Sequence, residues 1–211
     1  MRTQFLSSAL LLALPFAAAA QQWEIGGVGG FAAQRGVSVE SGSVAGKVGF
    51  KDAPVLGAYF GETRGRWGGE VRYLYRWGDA KVEVGGESAS LKARQQLVTG
   101  DLLYHFAGEK AAVRPFLVFG GGIRYIEGTG QPRAFHPGSQ YAALTRTSET
   151  LPVGHFGAGI KASAGKHALF RLEVRDYLGP RTDNVIAAAP GSKLTGLMHD
   201  IVFTAGIAWA F

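Results

Sequence analysis

Apolar and polar residues alternate along much of the chain. From Ile201 to Phe211 one parity holds Ile201, Phe203, Ala205, Ile207, Trp209 and Phe211, and the other holds Val202, Thr204, Gly206, Ala208 and Ala210. A period of two over this length predicts a β-strand. Trp67–Trp77 repeats it, with Trp67, Gly69, Val71, Tyr73, Tyr75 and Trp77 on one face and Gly68, Glu70, Arg72, Leu74 and Arg76 on the other. Around Phe170 the split sets Phe170, Leu172 and Val174 against Arg171, Glu173, Arg175 and Tyr177. Around Leu102 it sets Val98, Leu102, Tyr104 and Phe106 against Leu97, Thr99, Asp101, Leu103 and His105. Weaker strands are predicted at 23–31, 54–62, 114–125 and 153–163. At 54–62 both parities are apolar, so its faces stay unassigned. Pro54, Pro115 and Pro152 are expected at strand starts, because proline cannot donate to a ladder.

Eight strands result, and the connections between them alternate in length. Long links run over 33–53, 78–93, 127–149 and 179–199, the second containing the hairpin-like Gly85-Gly86. Short ones lie at 63–66, 108–112 and 164–167. This rhythm predicts an all-β fold, an eight-stranded antiparallel up-and-down transmembrane β-barrel with short periplasmic turns and long outer loops.

Composition separates a membrane barrel from a soluble one. In a soluble barrel the large apolar residues point inward, whereas in an outer-membrane barrel they meet lipid and the polar set fills the interior. Here the polar set contains Glu24, Glu70, Arg72, Arg76, Asp101, Arg124, Lys161, Arg171, Glu173, Arg175 and Asp200, six basic and five acidic residues. Such a near-balanced set suits a network of ion pairs inside a narrow lumen, since charges are rarely buried unpaired. Trp67 and Trp77 share a face ten residues apart. At the tilt of a barrel strand that spans roughly 23–25 Å, the height of the apolar band between aromatic girdles. Trp23, Tyr104, Phe106, Trp209 and Phe211 are expected at the periplasmic girdle, and Trp77 and Tyr125 at the outer one.

The N-terminus adds a destination. Arg2 precedes an apolar run, Phe5–Phe16, and small residues ending in Ala18–Ala20. These features predict a secretory signal peptide over residues 1–20, cleaved after Ala20, and a barrel domain over 21–211. The formal charge is +6, but export argues against nucleic acid as a partner. The absence of Cys removes disulfides and thiolate chemistry.

The C-terminal strand also carries a resemblance. Phe211 with Trp209, Ile207, Ala205 and Phe203 before it resembles the terminal signature of bacterial outer-membrane barrels, which the barrel-assembly machinery reads. With the leader and eight strands, the chain resembles the small outer-membrane β-barrel family, the OmpA/OmpX-like and porin-like group. The resemblance implies bacterial outer-membrane localisation and contact with outer-membrane lipid. It names no activity.

Candidate chemistry is sparse. The charged set either plugs the lumen or binds an anionic solute. Eight strands leave room for little besides side chains, which favours the plug. His105 and His155 point inward by parity, without metal-ligand spacing. His136, Ser139 and Ser148 lie in or beside a long loop, without a nucleophile motif. The Gly-rich segments at 26–30 and 120–122 sit in strands with no helix following, so they do not form a phosphate loop. No cofactor, metal or catalytic residue is assigned. The expected function is a closed barrel that anchors surface loops for a structural, adhesive or interaction role, the loop partner being undefined. A narrow porin or solute transporter is the alternative, and a lipid A-modifying enzyme a third reading.

Overall fold

The computed structural model describes residues 22–41, 44–132 and 138–211. The expected signal peptide and His136 lie outside the described residues. Eight long strands close into one barrel. In chain order they are Gln22–Arg35, Ala53–Arg64, Trp67–Trp77, Ala93–His105, Val113–Gly128, Ser148–Ser163, Ala168–Gly179 and Met198–Ala210. Each pairs antiparallel with its sequence neighbours. The first closes on the eighth, from Glu24 opposite Ala210 to Arg35 opposite His199. Closure leaves no strand edge to satisfy in an apolar medium. It extends past the last strand, where Trp23 N donates to Phe211 O at 3.0 Å and Phe211 N to Trp23 O at 2.9 Å.

Burial alternates along the strands in the sense opposite to a soluble protein. Leu172, Phe203, Val71, Phe31 and Leu56 are exposed on the outer wall, while Arg72, Arg124, Arg171 and Arg175 are among the most deeply buried side chains. The second strand, unreadable from its pattern, turns Val55, Tyr59 and Thr63 inward and Leu56 and Phe60 outward. The fifth and sixth strands run longer than their sequence pattern. The expectation that Pro152 opens a strand is corrected: it is an interior residue of the sixth strand, opposite Ile123. It is tolerated there because pairing to the seventh strand begins only at Gly154, so Pro152 stands where the ladder is one-sided.

Connections at one end are short, including the two-residue turn Gly65-Arg66, where Gly65 has φ +62°. At the other end the expectation of plain loops is corrected. The long connections contribute Lys193–Thr195, Val37–Ser41, Val44–Phe50, Ala80–Val84 and Glu87–Leu91, which form a five-stranded sheet in that order. Ala142–Leu144 pairs separately with Ile186–Ala188. Gly85 and Gly86, at φ +61° and +84°, make the tight hairpin turn between Ala80–Val84 and Glu87–Leu91. Val37, Val39, Val48, Phe50, Val82 and Leu194 from this sheet pack with Ile126, Leu144, Ile186 and Met198 into a second core over the barrel mouth. Burial of that face is what orders the connections into strands.

Candidate functional site

The charged interior is arranged in layers. At mid-height three guanidiniums and three carboxylates interlock. Arg171 Nη1 donates to Glu70 Oε2 at 2.7 Å and its Nε to Glu173 Oε2 at 3.0 Å. Arg175 reaches Glu70 Oε1 at 2.6 Å and Asp101 Oδ2 at 2.5 Å. Arg72 bonds Glu70 Oε1 at 3.0 Å and also Glu173. Thr204 Oγ1 adds a donor to Glu173 at 2.9 Å, and His155 Nε2 lies 2.7 Å from Asp101 Oδ1. Each carboxylate thus meets several donors, as a buried charge requires if its desolvation is to be offset. The Arg171 guanidinium also stands 4.6 Å from the Tyr59 ring centroid and 4.7 Å from that of Phe116. Both distances suit cation–π attraction.

Glycine makes room for this cluster. A Cβ on Gly120 would come within 2.8 Å of His155 Nε2 and 2.9 Å of Asp101 Oδ1, and one on Gly26 within 2.7 Å of the Tyr59 ring. Gly26 and Gly120 thus leave the space that the inward side chains paired with them on the neighbouring strands occupy, Tyr59 beside Gly26 and Asp101 and His155 on either side of Gly120.

Toward the short-turn end, Lys161 pairs with Glu24. Below them Arg114 Nη2 donates to Gly65 O at 3.2 Å, and His105 Nδ1 lies 3.2 Å from Arg66 O. Toward the loop end, Arg76 and Arg124 both approach Asp200, at 2.5 and 2.7 Å. Arg76 thus takes its carboxylate from the loop end of the lumen and not from the mid-height cluster. Parity assigns a residue to the lumen but not to a height, and the stagger of the strands sets which side chains meet across it. Sequence reasoning missed Arg114, which shares the parity of Arg124 and is 4% exposed. It also missed Tyr59, hidden by the two apolar faces of its strand.

The aromatic residues expected in the girdles lie near the two ends of the strands. At the short-turn end Trp23 stacks on Phe60 at 5.1 Å, Trp67 meets Tyr104 at 5.0 Å, Tyr104 meets Phe106 at 5.5 Å, and Trp209 stacks on His167 at 4.9 Å. At the loop end Trp77 packs on Tyr75 at 4.5 Å, and Tyr125 pairs in register with Gln96. On the terminal strand Phe203, Ile207, Trp209 and Phe211 all face outward and are exposed. Ser139 sits in a turn of the fifth-to-sixth connection and Ser148 begins the sixth strand.

A family model described as "Outer membrane protein beta-barrel domain" matches residues 6–211. Among solved structures, the chain is similar to the outer membrane protein OprG from Pseudomonas aeruginosa, with 16% identity and a TM-score of 0.56, over 89% of this chain and 95% of that one. It is also similar to Neisserial surface protein A, with 11% identity and a TM-score of 0.54, over 90% of this chain and 97% of that one. At these identities the structural likeness speaks to the fold alone. No curated protein matches the chain. The family match over nearly the whole sequence, on a closed eight-stranded barrel with an apolar wall and a charged interior, places this chain in the outer membrane protein β-barrel family, a protein of the bacterial outer membrane.

Proposed function

We propose that this protein is a closed barrel whose work is done outside it: the wall anchors a small β-sheet unit at the cell surface for interaction with another molecule, and the lumen does not pass solutes. The observation that carries this reading is the filling of the lumen. Arg72, Arg171 and Arg175 reach across it to Glu70, Asp101 and Glu173, each no more than 8% exposed, and the apolar core of the loop sheet lies over its mouth. A solute would have to break the whole central network to pass. Loops that only closed a turn would need no core of their own, whereas a folded sheet offers a rigid surface to a partner. The terminal residues Phe203, Ile207, Trp209 and Phe211 serve assembly, presenting an outward aromatic edge to the barrel-assembly machinery, and the outer wall contacts outer-membrane lipid.

Liposome swelling tests the closed lumen. Vesicles holding the refolded protein should resist swelling in small sugars and amino acids as well as protein-free vesicles do. Swelling that falls with solute size would make the protein a porin and overturn the reading.

A further inference from the structure

A cationic cleft opens at the loop end, where the first barrel strand leaves the wall. Its volume is about 680 Å³, the size of a pocket for an organic ligand and more than a lone ion needs. Its charged lining sets Arg35, Lys47, Lys51 and Lys81 against Asp52 and Glu83. Glu83 pairs with Lys81, and Asp52 Oδ1 accepts from Gln34 N at 3.0 Å. Lys51 Nζ donates to Ser90 Oγ at 3.0 Å and lies 3.7 Å from Asp79. Arg35 and Lys47, both exposed, meet no carboxylate among the described residues. The cleft therefore carries an excess of cation with two side chains uncommitted.

Arg35 fixes its height. It stands opposite His199 on the eighth strand, and His199 is ten residues before Trp209 on the same outward parity. Ten residues of tilted strand span roughly 23–25 Å, the apolar band of an outer-membrane barrel. Trp209 lies at the short-turn girdle, so Arg35 and His199 stand at the outer edge of that band, where headgroups begin. The cleft rises directly from there, since Gly36 follows Arg35 and Val37 already pairs with Val48 of the loop sheet.

Below Arg35 the wall is shaped. Phe31 lies on the same strand and face, about 13 Å along the strand. It shares a row across the wall with Phe203 and Val174, and Gly29, Ala205 and Leu172 form the next row toward the short turns. The small Gly29 and Ala205 beside the large Phe31, Phe203 and Leu172 leave an apolar trough open to the lipid side. An uncommitted cation pair at the headgroup level thus stands above a trough at the level of the tails. A soluble polyanion would use the first and leave the second without an occupant. A lipid with a phosphate headgroup uses both.

We propose that the cleft and the trough form one binding site for a phosphate-bearing glycolipid of the outer leaflet. Arg35 and Lys47 hold the headgroup phosphate, and the trough takes one acyl chain. The site rests on the wall facing lipid and not on the closed lumen, so a conducting barrel would leave it standing.

The test uses the full refolded protein in maltoside micelles, titrated with bisphosphorylated lipid A and followed by native mass spectrometry. One lipid should be retained per barrel, and retention of the dephosphorylated lipid should be about tenfold weaker, the loss of one charge-assisted contact. Arg35→Gln with Lys47→Gln should weaken the phosphorylated lipid by about the same factor. Lys110→Gln, an exposed lysine in a short connection at the other end, should change nothing. Ala205→Phe fills the trough and should also weaken retention. If it does not refold, Gly29→Val makes the same test, because a Cβ there meets only Leu56 Cδ1, at 3.9 Å. Equal retention of the two lipids overturns the proposal, as does unchanged retention in the trough variant. Dextran sulfate bound through Arg35 and Lys47, with lipid retention indifferent to both, would make the cleft a site for a soluble polyanion instead.

Discussion

Arg171 on the seventh barrel strand and Glu70 on the third meet across the lumen, with Nη1 2.7 Å from Oε2 and both side chains 1% exposed. The two positions lie 101 residues apart in sequence. Their contact spans the interior rather than running along one wall, so it ties opposite sides of the barrel together. Glu173 repeats the arrangement in reverse, reaching from the seventh strand to Arg72 on the third.

Glu173 touches Arg72, Arg171, Arg175 and Thr204. Glu173→Gln keeps the shape and removes the charge, leaving three guanidiniums against two carboxylates. Breaking a buried pair in this way costs about 3–5 kcal/mol in a dry site and less where water enters. Urea titration of the protein refolded in lipid vesicles should show a midpoint well below wild type. An unchanged midpoint would mean that the cluster is hydrated and contributes little.

Leu172 lies between Arg171 and Glu173 and points the other way, 55% exposed on the wall. Leu172→Arg places a cation against the lipid tails, at a cost of about 2–4 kcal/mol near the midplane. Leu172→Phe should be nearly neutral. The same vesicle titration on both variants checks the outward face, and equal tolerance of the two would contradict it.

Phe211 has two separable roles. Its backbone closes the barrel on Trp23 through two hydrogen bonds, and its ring is 60% exposed. Phe211→Ala keeps the backbone pair and removes the ring. Insertion in cells, measured as surface-accessible protein, should fall several-fold, while refolding into detergent stays intact. Equal loss in both assays would make the ring a stability element rather than an assembly signal.

Val82 is fully buried in the core of the loop sheet. Val82→Asp introduces a charge with no partner there, which that small core cannot accommodate. Protease added to whole cells should cut the long connections of the variant and spare those of wild type, while the barrel keeps its gel shift on heating. Loss of the barrel as well would mean that the cap and wall fold as one unit.

The barrel was legible because lipid and lumen impose opposite chemistry on alternate residues. Trp67–Trp77, with tyrosines and tryptophans on one parity and Glu70, Arg72 and Arg76 on the other, can be read directly. The second strand was not, since Tyr59 fills the lumen beside the arginines while Phe60 meets lipid, so both parities are apolar. The loop sheet was invisible for another reason. Its strands are three to seven residues long, and Lys193–Thr195 pairs with Val37–Ser41, a partner no local pattern discloses. Only the Gly85-Gly86 turn announced itself. The interior charges were legible as a set, but Arg76 meeting Asp200 depends on strand stagger, which no single strand encodes.

Single-channel recording in planar bilayers tests the closed lumen most directly. Wild type should add no steady conductance, because the Arg72–Glu173 and Arg171–Glu70 contacts cross the lumen. Glu173→Gln, with one crossing carboxylate neutralised, should show brief, irregular openings. A stable, anion-selective open level in wild type, reduced by Arg175→Glu, would contradict the closed barrel and make the charged interior a conduction path.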